Sequence, residues 1–293
     1  MSTDGTAPST VDVPHGRVRY RAFGSGEPIV FVHGYLVDGR IWDGVAERLA
    51  PDFSCIVPDW PMGSHRVAMD PDADLTPPGI VATIAGFLDA LGLERVTVVG
   101  NDSGGAISQI FTATHPDRVE RLVLTNCDTY EHFPPFPFTL MVSAARLPGA
   151  MTALSLPFRL GPLRRATYGL FAAERIDPEL VDSWMEPSLA DPAIKRDTQK
   201  FTVGLHKRYT LEAAERLGGF ERPVLFPWGT ADRFFKLSHA ERLAGALPDT
   251  RIVEIPGAKT FVQLDRPDAV AEAIAEFVRS QPQSARASAT GGQ

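Results

Sequence analysis

Residues 95–106, Arg-Val-Thr-Val-Val-Gly-Asn-Asp-Ser-Gly-Gly-Ala, run from an apolar strand through a glycine-framed turn into a helix, with the carboxylate of Asp102 at the apex. Small flanking residues let a chain turn this sharply and hold one side chain above the sheet edge. Gly100 and Gly104 frame Asp102 and leave Ser103 out of register. Asp102 is therefore the candidate nucleophile, and Ser103 is expected to lend its backbone N–H to an oxyanion hole. A carboxylate in that place attacks an alkyl carbon and forms an alkyl ester, where a serine would form an acyl ester.

Around this turn, short apolar runs alternate with helical patterns. Strands are expected near residues 16–23, 28–33, 53–58, 95–100 and 121–127, with helices near 39–50, 77–92 and 103–115. Such alternation predicts βαβ units and a mostly parallel central sheet flanked by helices. The rhythm breaks at Asp128. From 128 to 217, prolines such as Pro134, Pro148 and Pro162 punctuate helix-forming stretches, which predicts an inserted helical cap. The sheet resumes at 224–228 and 251–255, and apolar residues at helical spacing close the chain near 267–279. The α/β core is thus expected at 12–127 and 218–280. Residues 1–11 and 281–293 carry few apolar groups and are expected to be disordered tails.

Composition narrows the function. A chain of 293 residues with 44% hydrophobic content can bury one large core. The net charge of -7 argues against nucleic acid as a partner. Cys55 and Cys127 lie in apolar runs, as expected of buried free thiols in a reducing compartment. The first residues resemble no export signal, and no apolar run reaches membrane-spanning length, so a cytoplasmic protein without a membrane partner is expected. No metal cluster, phosphate loop or dinucleotide fingerprint occurs in its required context. No cofactor is expected, and oligomeric state is left open.

Taken with His33-Gly34-Tyr35 after an early strand, the elbow Gly100-Asn101-Asp102-Ser103-Gly104-Gly105 resembles the α/β-hydrolase superfamily. The likeness is to its aspartate-nucleophile branch of epoxide hydrolases and haloalkane dehalogenases, over about residues 15–280. It implies the α/β-hydrolase fold, a small apolar substrate, and Tyr35 and Ser103 as the two oxyanion N–H donors. His33 shapes the oxyanion loop in this scheme. Asp232, in Trp228-Gly229-Thr230-Ala231-Asp232, is placed as the acid that orients the base, although an aspartate is also an ordinary choice in such a turn. Asp128 matches an alternative acid site of some relatives, or else marks the cap junction. Tyr168 and Tyr209 match the cap tyrosines that protonate an opening epoxide, and Trp184 is a further candidate for contacting substrate. Dehalogenases of this branch place a tryptophan after the nucleophile to hold the departing halide. This chain has Ser103 there, which favours an epoxide over a carbon–halogen bond.

One expected residue is missing. The branch supplies its general base in a Gly-x-x-His-Phe-like stretch after the last strand, but residues 257–262 read Gly-Ala-Lys-Thr-Phe-Val, with Thr260 at the histidine position. A threonine hydroxyl is no useful base near neutral pH. His65, in the loop after Pro58-Asp59-Trp60, is the first substitute candidate because that loop leaves the ligand-binding edge of the sheet. His132, His206 and Lys259 follow, and a proton shared between Asp102 and Asp232 is a further route. Two functions stay open: a hydrolase working through Asp102, and a ligand-binding protein or sensor that kept the pocket and lost the base.

Overall fold

The computed structural model describes residues 7–147 and 149–281. Its frame is one eight-stranded sheet in the order β1-β2-β4-β3-β5-β6-β7-β8. The strands are β1 Ser9–Val13, β2 Gly16–Phe23, β3 Glu27–Val32, β4 Phe53–Asp59, β5 Val96–Asp102, β6 Val119–Cys127, β7 Val224–Gly229 and β8 Thr250–Ile255. β1 runs antiparallel to β2, and β2 antiparallel to β4; the remaining pairs are parallel. β6 is buried along its whole length and most of β5 is buried too, as expected of central parallel strands covered on both faces.

The helices are α1 Asp43–Leu49, α2 Pro77–Ala90, α3 Ser103–Thr114, α4 Phe138–Ala145, α5 Ala150–Ser155, α6 Gly161–Tyr168, α7 Pro178–Ala190, α8 Pro192–Gly204, α9 Arg208–Leu217, α10 Leu237–Ala244, α11 Val262–Asp265 and α12 Pro267–Ser280. One face of the sheet buries Ile80, Phe87, Ile107, Phe111 and Leu217 from α2, α3 and α9. The opposite face buries Val45 and Leu49 of α1 with Val270, Ile274 and Phe277 of α12. The result is the α/β-hydrolase fold.

Two expected boundaries move. β1 begins at Ser9, inside the stretch whose composition argued for a tail, and pairs from Ser9↔Tyr20 to Val13↔Gly16. An edge strand is held by main-chain hydrogen bonds, so it does not need the apolar content that the composition argument looked for. Residues 1–6 and 282–293 lie outside the described residues. At the other boundary, α9, which lies in the stretch expected to form the cap, packs on α3 and places Ala213, Ala214 and Leu217 in the sheet-side core.

Candidate active site

Asp102 ends β5 and α3 starts at the next residue, which leaves no room for a relaxed turn. Its backbone takes φ 54° and ψ -132°, a conformation costly for a non-glycine residue and often kept where function needs it. The turn closes because a Cβ on Gly104 would run into the carbonyls of Val32 and His33, and a Cβ on Gly34 would strike the Asp102 carboxylate. The same close approach brings the Tyr35 N–H to Asp102 Oδ2 at 3.2 Å, and the Ser103 N–H donates to the same carboxylate. The two expected oxyanion donors thus converge on Asp102 at the positive end of α3. Burial pushes its pKa up to about 7, against those two hydrogen bonds, and the charge of Asp232 adds to the rise.

His33 holds this loop in place. Its Nδ1 faces the Gly34 carbonyl at 2.8 Å and its Nε2 accepts from the Trp60 N–H at 2.8 Å, while burial lowers its pKa to about 4. A neutral ring with both nitrogens committed fits a loop-shaping role.

Asp232 follows β7 and is held on both oxygens. Oδ1 accepts from the N–H groups of Phe234 and Phe235 at 2.8 and 3.2 Å, and Oδ2 from Asn126 Nδ2 at 3.0 Å and Thr260 Oγ1 at 2.9 Å. Burial raises its pKa in spite of these donors. Thr260 is fully buried and spends its only hydroxyl proton on Asp232, in the position from which a histidine would be oriented. Among the described residues no hydrogen bond joins Asp102 to Asp232.

Asp128, just past β6, is also fully buried. The Ser103 hydroxyl approaches it, but neither carboxyl oxygen has a hydrogen bond of normal geometry. Burial and the neighbouring Asp102 push its pKa well up.

The remaining candidates separate. His65 faces Asp197 of α8, with Nε2 to Oδ2 at 3.3 Å, and accepts the Gly63 N–H at 3.4 Å. His132 stacks on His239, His206 accepts from the Arg208 N–H, and the Lys259 ammonium donates to the Ala172 carbonyl. Tyr209 lies in a separate depression with Ala82 and His115, its hydroxyl accepting from Arg208. Trp184 is buried behind Tyr168, its ring 5.4 Å away and its N–H on Asp38. Of these, the structure brings only Tyr168 to the cavity above Asp102.

That cavity measures about 120 Å³ and is lined by Asp102, Ser103, Tyr35 and Tyr168 together with an aromatic wall that includes Phe138, Phe171, Phe234 and Phe261. Phe171 is the hub, with ring centres 5.1 Å from Phe234, 5.6 Å from Phe261 and 6.0 Å from Phe138. No histidine is among the lining residues. Of the four hydroxyls that line the cavity, those of Tyr168, Thr167 and Tyr35 already have their protons committed. Tyr168 donates to the Leu36 carbonyl and Thr167 to the Leu163 carbonyl. Tyr35 pairs with Thr202 Oγ1 at 2.6 Å, and it must be the donor because Thr202 gives its own proton to the Thr198 carbonyl.

Sequence reasoning missed Asn126 and Asn101, which brace this arrangement from behind. Asn126 accepts the Gly229 N–H at 2.6 Å while donating to Asp232, and Asn101 donates to the Thr260 carbonyl at 2.8 Å. A signal was available: a buried strand otherwise read as apolar carries Thr125-Asn126 near its end. The aromatic wall also left a trace, in Phe234 and Phe261 beside the motif positions Asp232 and Thr260.

The family model described as alpha/beta hydrolase fold matches residues 27–267. Haloalkane dehalogenase 2 of Mycobacterium tuberculosis is 29% identical over 282 residues, covering 90% of this chain and 92% of its own. A 2-hydroxy-6-oxo-6-phenylhexa-2,4-dienoate hydrolase of Comamonas testosteroni is 24% identical, covering 93% of this chain and 95% of its own. The crystal structure of the haloalkane dehalogenase DatA from Agrobacterium tumefaciens C58 superposes with a TM-score of 0.78 at 18% identity, over 95% of this chain and 98% of that one.

Proposed function

The chain belongs to the alpha/beta hydrolase fold family, and from that premise we propose that it is a hydrolase-type enzyme for small apolar alkyl halides, with Asp102 as nucleophile. In the first step a carboxylate oxygen of Asp102 attacks the alkyl carbon, the carbon–halogen bond breaks, and halide leaves with the electron pair. The product is an ester on Asp102. In the second step water adds to the ester carbonyl, the Tyr35 and Ser103 N–H groups stabilise the oxyanion, and the ester C–O bond breaks as one water proton goes to the departing alcohol and the other to solvent, restoring the Asp102 carboxylate.

The observation that carries this reading is the strained Asp102, its carboxylate on two backbone donors at the floor of an apolar cavity. The committed hydroxyls of the wall favour halide over epoxide, reversing the preference drawn from the sequence. An alkoxide needs a proton to leave, whereas bromide or iodide departs without one. The volume suits a short chain, since an apolar cavity of about 150 Å³ holds benzene.

The second step lacks its usual base, because Thr260 gives its proton to Asp232 and no histidine lines the cavity. Alkylation is therefore fast relative to hydrolysis. The test is bromide release from 1-bromobutane: one equivalent per protein in a burst, followed by a slow phase. Release that is steady from the start, or none from any short bromide or iodide, overturns this reading. The same missing base supports a second reading, a sensor that binds apolar ligands reversibly. Saturable binding without release or adduct would favour it.

A further inference from the structure

Among the described residues, every exposed large apolar side chain falls between Phe136 and Leu170, on α4–α6 and their connections. Phe136 is 76% exposed, and Leu140, Leu147 and Leu160 each 63%. These segments touch one another in sequence, α4 with α5, α5 with the turn after it, and that turn with α6, so the exposed residues lie in one contiguous part of the fold. A soluble surface normally scatters such residues singly, and a gathered patch marks something it contacts. The same segments supply Phe138, Met141 and Phe158 to the cavity, so one layer of chain is apolar on both its outer and its cavity side.

Charge identifies the occupant. Residues 132–173 contain four arginines and no aspartate or glutamate, in a chain whose net charge is -7. Arg164 and Arg165 are paired with Asp182. Arg146 and Arg159 are exposed and, among the described residues, form no ion pair. A second copy meeting this patch with its own would set like charges face to face. An apolar surface carrying these arginines, of which Arg159 shares a depression with Glu179, Asp182 and Glu186 of α7, instead complements the anionic headgroups and acyl boundary of a lipid leaflet.

We propose that α4–α6 form an interfacial docking surface for an anionic lipid membrane, from which a membrane-dissolved apolar molecule passes to the cavity beneath. Surface docking of this kind needs no membrane-spanning segment, and among the described residues no helix is long and apolar enough to cross a membrane. The docking claim stands apart from the chemistry at Asp102 and is read out by binding alone.

The test is flotation of the full chain with phosphatidylcholine vesicles, with and without phosphatidylglycerol, at low and high salt. The protein is expected to float with the anionic vesicles at low salt and to be released at high salt. The pair Leu140→Asp and Leu160→Asp is expected to abolish flotation, and the pair Arg146→Gln and Arg159→Gln to weaken partitioning about thirtyfold. All four positions are exposed, and an unchanged melting temperature confirms that the variants remain folded. No flotation, equal flotation with neutral vesicles, or flotation indifferent to both pairs overturns the proposal. A dimer in sedimentation equilibrium that Leu140→Asp dissolves would also overturn it, by assigning the patch to a second copy.

Discussion

The two sides of the cavity floor are built to different degrees of completion. On the Asp102 side every part is present: the strained turn, the glycines that permit it, and the two N–H groups that converge on the carboxylate. On the Asp232 side the supporting acid is held by four donors, yet the group it would orient is a threonine whose proton it consumes. In the function we propose, the two half-reactions that share this pocket can therefore part company, because alkylation needs only the first side and ester hydrolysis needs both.

The sharpest way to break this comparison is Asp102→Asn. Removing the nucleophile takes away the group that accepts the alkyl carbon, so bromide release should fall to background. Next is Thr260→His, which places an imidazole against Asp232. A general base contributes about 10²–10⁴-fold, and the slow phase of bromide release should accelerate by that order while the burst stays unchanged. An unchanged slow phase would mean that something other than the missing base limits hydrolysis.

Asn126→Ala probes the bracing. It strips Asp232 of one donor and leaves the Gly229 N–H unpaired in the interior, for a loss of roughly 2 kcal/mol in denaturant unfolding. The smallest effect is on pH. With its pKa raised by burial to about 7, Asp102 is ionised only above that value, so the burst rate should climb about tenfold per unit below pH 7 and level off above pH 8. The same shift has a stability sign. A carboxyl whose folded pKa exceeds its unfolded 3.8 exerts no penalty at pH below 3.8, a growing one up to about 7, and a constant one beyond. Asp102→Asn should accordingly gain more in melting temperature over the wild type at pH 8 than at pH 5.

Most of this frame was legible in the sequence. The elbow could be read because φ near +54° and a helix beginning one residue later demand small neighbours, and Gly100, Gly104 and Gly105 supply them. Asp232 could be read from its place after an apolar strand. What escaped depends on partners distant in the chain. Ser9–Val13 is a strand because β2 lies beside it, and α9 belongs to the core because α3 covers it. His65 sits on the expected loop, but its ring is claimed by Asp197, 132 residues away. The aromatic wall draws Phe138, Phe171, Phe234 and Phe261 from well-separated segments, and no spacing rule gathers them.

The most direct test of the uneven floor is intact-protein mass spectrometry after brief exposure to 1-bromobutane, followed by peptide mapping. We predict a single butyl adduct on the wild type, mapped to Asp102 and persistent over hours, and no adduct on Asp102→Asn. An adduct on another residue, or butanol produced by the wild type with no adduct accumulating, would contradict the account.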